Sequence, residues 1–311
     1  MEKPLVTVGA SNYNNAAYVI ETLESIKNQT YENIELIIID DGSKDNSPTL
    51  IREWLKTYQK PYLFIEHEQN KGVPTVLNTI VGNAKGKYFS EIATDDVMMP
   101  DKISRQVEIL ESSSADTGCV YSDAFTIDEK GNLREQMFNI VKGIERPPSG
   151  NIYEYILAGN LWFHTGTMLA RTQCYNEVGL FDYNILSEDV DMVLKLSRQY
   201  KFVYSDYVSE KYRVRGNSLT RTNTWYASQI QVLAKNLPYS KTALGRMDGA
   251  AVSAYLTDDN KALALLPQYK HLSAYIGFIL VLKKSGIPKV ISRILLFFLR
   301  KYLQAYRSFT R

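Results

Sequence analysis

Between residues 5 and 93 the sequence alternates short apolar runs with segments of helical period. Leu5-Val-Thr-Val-Gly-Ala is the first run, Ile34-Glu-Leu-Ile-Ile-Ile the second, Tyr62-Leu-Phe-Ile-Glu the third and Gly86-Lys-Tyr-Phe-Ser-Glu-Ile-Ala the fourth. Helices are expected between them at 16–28, 47–58 and 74–84. Val19, Ile20, Leu23 and Ile26 are spaced for one helical face, and Ile51, Leu55 and Tyr58 for another. The second run is almost continuously apolar, which suits a strand covered on both faces. Such alternation implies a parallel sheet with right-handed crossovers, in which ligands meet the carboxyl ends of the strands. The polar clusters 11–15, 40–45 and 94–96 fall at those ends, so distant stretches are expected to share one crevice.

Beyond Pro100 a helix is expected over 101–113, strands at 118–123 and 126–128, and a turn at Glu129-Lys-Gly-Asn. A Gly/Pro-rich loop follows at 140–150, then a helix at 151–159 and a strand at 167–170. Residues 188–199 read as a helix, with Val190, Val193, Leu194 and Ser197 on one side, and 202–207 and 211–214 as short strands. From about 225 the pattern turns helical, so the domain is expected to span 1–224 and a helical extension 225–311. No internal repeat is present.

Hydrophobic residues at 45% and charged residues at 23% exclude disordered and fibrous classes. Lys and Arg number 36 against 34 Asp and Glu, a balance that indicates no nucleic-acid partner. Their distribution is uneven: no acid follows Asp259, whereas residues 270–311 carry nine Lys/Arg. Such asymmetry marks a surface for a partner, with a membrane as one reading. Cys119 and Cys174 are too few for a disulfide framework or a four-thiolate zinc site, and fit a reducing compartment. Met1-Glu-Lys-Pro runs straight into the first strand without a signal-peptide core, and no run of 18 uncharged apolar residues occurs. A cytoplasmic location without a membrane span is therefore expected.

Four motifs carry chemistry, each with a bland alternative. Asp95 and Asp96 are adjacent carboxylates at a strand end, which repel unless something positive lies beside them. Hard oxygen ligands of this kind suit Mg2+ or Mn2+; equally, the pair could cap the helix beginning near Pro100. Asp40-Asp41-Gly42-Ser43 is either a turn with Asp45 as helix cap or an acid placed for a base N–H or a ribose hydroxyl. Glu188-Asp189-Val-Asp191 opens a helix, where acids complement the macrodipole or supply a general base. Asp189 shares a face with Val193 while Asp191 points elsewhere. Arg213 and Arg215, two apart in a strand, would present two forked guanidiniums on one face, suited to a diphosphate or to a solvated strand edge.

Taken in order, these pieces resemble the GT-A-fold, family 2 glycosyltransferases. The resemblance is carried by Val6-Thr-Val-Gly-Ala-Ser-Asn-Tyr-Asn, Leu23-Glu-Ser-Ile-Lys-Asn-Gln-Thr-Tyr, Asp40-Asp-Gly-Ser-Lys-Asp-Asn-Ser, Asn70-Lys-Gly and Ala93-Thr-Asp-Asp. It continues with Gly179-Leu-Phe-Asp, Glu188-Asp-Val-Asp-Met-Val-Leu-Lys-Leu and Tyr212-Arg-Val-Arg-Gly-Asn-Ser, covering about 4–220. It implies a Rossmann-like, mostly parallel sheet flanked by helices, with a nucleotide-binding half at 1–100 and an acceptor-binding half at 101–224. By that resemblance Ala10, Ser11 and Tyr13 line the nucleotide, Asp41 meets the base, and Asp95 and Asp96 are the metal motif. Asp96 is then the direct ligand of Mn2+ or Mg2+, and Asp95 a ribose or water contact. Asp189 matches the base that deprotonates the acceptor, with Glu188 beside it.

Two departures from the family pattern matter. Arg215 stands where many members have His, and a guanidinium cannot ligate a metal, so pairing with phosphate is expected of it. The Arg that often precedes the Asn in the stretch after Asn70-Lys-Gly is missing at Val76-Leu77-Asn78, leaving Lys71 as the nucleotide contact. His67 and His164 have no ligand spacing and are read as local hydrogen-bonders, His164 near the acceptor.

The implied activity is inverting, metal-dependent transfer of a sugar from a nucleotide-sugar to a hydroxyl of a glycan or lipid-linked acceptor in surface-polysaccharide synthesis. UDP is the expected nucleotide by family frequency, with dTDP and GDP left open. A nucleotidyltransferase would need a Gly/Arg/Lys-rich loop after the first strand, which Ser11-Asn-Tyr-Asn-Asn does not supply. A non-catalytic nucleotide- or carbohydrate-binding module would be favoured by loss of Asp96 or Asp189, and both are present. Residues 289–311 are basic, aromatic and apolar, with Ile291, Ile294, Leu295, Phe298 and Tyr302 on one helical face. That stripe suits an anionic membrane interface, which would place the protein peripherally on the inner face of the membrane, or else packing within the chain or on a partner.

Overall fold

A computed structural model describes residues 3–137, 146–216 and 225–309. β1 (Val6–Asn12), α1 (Val19–Lys27), β2 (Ile34–Asp40), α2 (Ser47–Leu55), β3 (Tyr62–Glu66), α3 (Val73–Asn83) and β4 (Tyr88–Ala93) follow the expected alternation. Their pairing is parallel, β1 with β2 and β4, and β2 with β3. Every residue of β2 is buried, because helices cover both faces of the sheet. Successive side chains point to opposite faces: Leu36 and Ile38 pack with Val19, Leu23 and Ile51, and Ile37 and Ile39 with Val76, Ile80 and Phe89. Glu35, the acid inside that run, accepts from Thr7 Oγ1 at 2.5 Å and from the Lys85 and Gly86 N–H groups at 2.6 and 3.0 Å. A buried carboxylate so satisfied costs the strand little.

The second half runs β5 (Val97–Met98), α4 (Lys102–Ser112), β6 (Thr117–Ile127), β7 (Leu133–Gln136), α5 (Tyr153–Leu157), a 3-10 turn (Thr165–Thr167) and β8 (Leu169–Arg171). It ends with α6 (Thr172–Val178), α7 (Glu188–Gln199) and β9 (Lys201–Arg213). The strand order among the described residues is β3-β2-β1-β4-β8-β6-β9-β5, with β7 beside β6. β8 is antiparallel to β4 and β6, β5 is antiparallel to β9, and β6 and β9 are parallel. The parallel pattern thus holds for the first hundred residues and gives way to a mixed sheet.

Two pairs of expected short strands are each one long strand. At Asp123 the β6–β9 ladder skips from Ser205 to Val208, a bulge that breaks the apolar period without ending the strand. β5 lies against Glu210 and Lys211 of β9, which brings the Asp95–Asp96 step beside the end of β9. Asn78 of α3 clamps the Phe181 backbone, donating to its carbonyl at 2.9 Å and accepting from its N–H at 2.8 Å. Most of the expected loop at 140–150 lies outside the described residues, as do 217–224, which hold the Asn-Ser end of the last motif.

The chain divides into two compact units, Met1–Tyr183 with Glu188–Gly216, and Asn184–Ser187 with Asn217–Arg311. The second is helical, as expected of the extension: α8 (Trp225–Asn236), α9 (Lys241–Leu256), α10 (Asn260–Tyr269), α11 (Ala274–Ser285) and α12 (Lys289–Phe309). Side-chain oxygens of Ser240, Asp259 and Ser273 cap α9, α10 and α11 at their amino ends, which explains where those helices start. No helix among the described residues is long and apolar enough to cross a membrane.

Gly42 turns the chain out of β2 at φ +72°, and a Cβ there would lie 2.5 Å from the Gln69 backbone. Gly42→Ala is therefore expected to lower stability by about 2 kcal/mol in urea denaturation. Gly82→Ala, inside α3 with nothing within 4 Å of the added carbon, should be neutral or raise stability by about 0.5–1 kcal/mol.

Candidate functional site

Three strand ends are tied together by one run of side-chain hydrogen bonds. Asn12, closing β1, donates to Asp40 Oδ1 at 2.5 Å and to Ser47 Oγ at 2.9 Å. Its carbonyl accepts from Thr94 Oγ1 at 2.6 Å, and Thr94 accepts from Asn15 Nδ2 at 3.0 Å. Asn15 in turn accepts from Arg215 Nη1 at 2.9 Å, and the other arm of Arg215 pairs with Asp95 Oδ2 at 3.0 Å. The polar clusters read from the sequence are thus members of one network, and Arg215 and Asp95 close its solvent side. Burial, then the neighbouring Asp96, pushes the Asp95 carboxyl up to about 6, against the opposing pull of Arg215.

Asp96 faces the other way. It is buried, with Oδ1 accepting from the Arg213 backbone N–H at 2.7 Å and Oδ2 3.2 Å from His164 Nε2. The same His164 nitrogen lies 3.2 Å from Glu210 Oε1, and Lys102 Nζ lies 3.8 Å from Glu210 Oε2. Glu210 and Lys102 are both wholly buried. Lys102 also donates to Ser90 Oγ at 2.9 Å and to the Gly166 carbonyl. Burial pulls His164 down, but the carboxylates of Glu210 and Asp96 outweigh it and hold the imidazole well above its ordinary value. Two buried carboxylates thus lie beside an imidazole held toward its charged form and a lysine whose amine burial pulls below its ordinary value, against the raising effect of Glu210. Asp96 Oδ2, His164 Nε2 and Glu210 Oε1 lie within 4.8 Å of one another, and neither the His164 nitrogen nor the Glu210 oxygens carry a well-aligned hydrogen bond. A set of two carboxylates and an imidazole fits a divalent cation such as Mn2+, which would take the place of the proton on His164.

The acids at the head of α7 form the second part of the site. Burial, then Asp189, pushes the Glu188 carboxyl up to about 7. Burial raises Asp189 as well, and the charge on His164 opposes that rise. Apolar Ile156, Leu161, Trp162 and Val193 wall a small pocket beside Asp189, which is why water does not hold its charge cheaply. Asp191 is buried on another side of the helix, 3.3 Å from Lys195 Nζ.

The remaining expected residues fall as follows. Ala10 is buried within β1, Ser11 lies one residue further along it, and Tyr13 follows the strand end 44% exposed. Asp41 is 3% exposed, and its oxygens are engaged by the Lys71 and Gly72 N–H groups at 2.9 Å each and by His67 Nδ1 at 2.7 Å. The side chain of Lys71 is exposed. Arg213 and Arg215 differ in environment. Arg213 is 3% exposed, and its guanidinium donates to the Asp95 carbonyl, the Asp128 carbonyl and Glu21 Oε2 while lying over the Tyr18 ring. Only Arg215 of the pair stands partly in solvent.

His164, expected to be a local hydrogen-bonder near the acceptor, lies instead 3.2 Å from each of two buried carboxylates. Lys102 and Glu210 left no sign in the sequence: Lys102 opens an ordinary amphipathic helix and Glu210 sits in a polar stretch of strand. Asn12, Asn15 and Thr94 were inside the expected polar clusters without assigned parts.

Comparison with known proteins bears on this arrangement. The family model described as Glycosyl transferase family 2 matches residues 7–178. An uncharacterised glycosyltransferase of Rickettsia prowazekii is 32% identical over 222 residues, which cover 70% of this chain and 67% of the relative. One from Rickettsia felis is 34% identical over 197 residues, 63% of this chain; the match spans about a third, 32%, of that relative. Among solved structures, S. aureus TarS in complex with UDP-GlcNAc gives a TM-score of 0.62 at 14% identity, covering 91% of this chain and 92% of that one. Mannosyltransferase PcManGT from Pyrobaculum calidifontis, in complex with GDP-Man and Mn2+, gives 0.59 at 18% identity, covering 96% and 86%. At those identities the likeness is one of fold, and the fold is GT-A.

Two outcomes test this geometry. Lys102→Met leaves Glu210 and Asp96 one counter-charge short and should cost about 3–5 kcal/mol in urea denaturation. Glu188 behaves oppositely. Its raised value means the folded chain holds a proton that the unfolded chain loses as pH climbs from 4.5 to about 7, so stability falls across that window. Glu188→Gln should therefore be more stable than the parent above pH 7, by on the order of 2 kcal/mol, with no difference below pH 4.

Proposed function

The chain belongs to glycosyl transferase family 2, and on that premise we propose that it moves a sugar from a nucleotide-sugar donor to a hydroxyl of a glycan or lipid-linked acceptor, inverting the anomeric centre. The observation that supports this reading is geometric: His164 Nε2 lies 3.2 Å from Asp96, and Thr165, the next residue, lines the same small pocket as Asp189, which favours one site for Asp95 and Asp189. One lies where a diphosphate would meet Arg215, and the other stands at the apolar pocket.

In the reaction the Asp189 carboxylate takes the acceptor proton as the hydroxyl oxygen bonds to the anomeric carbon. The bond from that carbon to the donor phosphate oxygen breaks, and the electron pair leaves with the nucleoside diphosphate. A carboxylate raised toward neutrality is a stronger base, and such a base contributes roughly a hundredfold to ten-thousandfold. Arg215, with one arm free to leave Asp95 for phosphate, offsets charge on the departing group. Arg213 holds the Asp95–Asp96 step in place through its backbone and side chain. Tyr13 offers an exposed ring for stacking on the base, and the Asp41 staple keeps Lys71 at the rim. A divalent cation, Mn2+ or Mg2+, would be held by Asp96 with His164 and Glu210, Asp95 lying next to it in the chain, and would supply further neutralisation of the diphosphate. UDP is the nucleotide favoured by this reading, and polysaccharide synthesis at the inner membrane surface is where a lipid-linked acceptor would be met.

Calorimetry of UDP binding with Mn2+, with EDTA, and on Asp95→Asn and Asp96→Asn tests the donor side. Metal should tighten binding at least tenfold, and the substitutions should remove that gain. If UDP, dTDP and GDP all fail to bind with metal present, the donor assignment falls. For turnover, Asp189→Asn should lower kcat about a hundredfold to ten-thousandfold with little change in KM for the donor. An unchanged kcat would remove Asp189 as the base.

A further inference from the structure

The C-terminal unit carries an apolar helix face that its own packing does not use. On α12, Ser292 and Leu296 are buried, whereas Val290, Ile291, Ile294 and Phe298 are 49–70% exposed. At 100° per residue those four form a stripe opposite the buried side. Ile291, Ile294 and Phe298 belong to the stripe expected from the sequence; Leu295 of that stripe is half-buried, Val290 joins it, and the Tyr302 side chain lies outside the described residues. Exposed apolar area of this kind, gathered on one helix and rimmed by cations, marks an interaction surface.

Beside the stripe lies a groove of about 540 Å³ between α9, α11 and α12. Gly245, Gly249 and Val252 line one wall, and Phe297 with Arg293 and Arg300 line the other. A Cβ on Gly245 or Gly249 would meet nothing within 4 Å, so both open directly onto free space. The two arginines are seven residues apart, on the side of the helix between the stripe and the buried Leu296, and are exposed. Neither has an ion-pair partner among the described residues. Asp248 also lines the groove, but its carboxylate accepts from the Ser273 hydroxyl.

We propose that this unit is a docking site for an anionic phospholipid surface: the α12 stripe seats at the acyl boundary, and the groove takes a lipid chain whose phosphate meets Arg293 and Arg300. Charge selects this occupant. Residues 270–311 carry nine Lys/Arg and no acid, so a second copy laid on the same face would set like charges together, whereas a negative leaflet attracts them. A basic amphipathic helix with aromatic and branched apolar residues on its free face lies in the plane of such an interface. The site does not rest on the glycosyl-transfer reading, and its readout is partition to lipid rather than turnover.

Flotation of the full chain with phosphatidylglycerol-containing vesicles, and with pure phosphatidylcholine vesicles, at low and high salt tests it. Binding to the anionic vesicles should be at least about tenfold stronger than to the neutral ones and should fall with salt. Ile294→Ser with Phe298→Ser changes only exposed side chains and should cut binding at least about tenfold. Gly249→Leu fills the groove at an unstrained helical position and should weaken binding with an unchanged melting temperature or a higher one. Inorganic phosphate should release no more protein from the vesicles than chloride at the same ionic strength. Equal binding to both vesicle types, binding indifferent to these substitutions, or release by phosphate beyond that by chloride at the same ionic strength would overturn the proposal. So would a dimer in sedimentation equilibrium that the Ile294/Phe298 double substitution dissolves, since the stripe would then belong to a second copy.

Discussion

Asp96 and Glu210 are shut away from water within reach of the same imidazole nitrogen, and much of the surrounding structure is placed by the need to neutralise them. Leaving either uncompensated would cost several kcal/mol. His164 arrives from the segment before the 3-10 turn, Lys102 from the first residue of α4, and the Arg213 N–H from the end of β9. The short β5 strand makes this possible, because its pairing with Glu210 and Lys211 carries the Asp95–Asp96 step onto β9. Gly166 sits so close that a Cβ there would lie 2.4 Å from a Glu210 oxygen. The cluster thus fixes β9 against β5, just past the carboxyl end of β4, and that register decides where Asp95 and Arg215 emerge.

Above the cluster, the division of labour between neighbours follows from depth. Asp95 and Asp96 are adjacent in sequence, yet one meets the Arg215 guanidinium near solvent and the other an enclosed imidazole. Arg213 and Arg215 show the same split. With its guanidinium bound to two carbonyls and Glu21, Arg213 is a positioning residue, while Arg215 remains near enough to solvent to meet a phosphate. The Asn12–Thr94–Asn15 run joins these residues to the end of β2, so a change at Asp40 or Asn12 is expected to be felt at Arg215. The network ties the carboxyl ends of β1, β2 and β4 into one rim.

The helical unit obeys different rules. Its helices begin at Ser and Asp caps and hold together by apolar contacts, but α12 leaves its most apolar stripe outside. A helix with both a packed side and an apolar free side gains stability where something other than water meets the free side, which is the part proposed above for the phospholipid surface.

The β-α alternation, the period of α1 to α3 and the ordered polar motifs were legible in the sequence, because local periodicity and strand-end chemistry are written in neighbouring residues. They determined the GT-A fold and family and pointed to the acids Asp95, Asp96, Glu188 and Asp189. The acid-free tail and its stripe were legible for the same reason. The tertiary structure alone decided which of two adjacent acids is enclosed, that Arg213 is spent internally, and that His164, Lys102 and Glu210 share one buried cluster. It also merged expected short strands across a bulge and turned the second half of the sheet mixed. Those facts depend on depth, strand order and register, which arise from contacts between residues tens of positions apart.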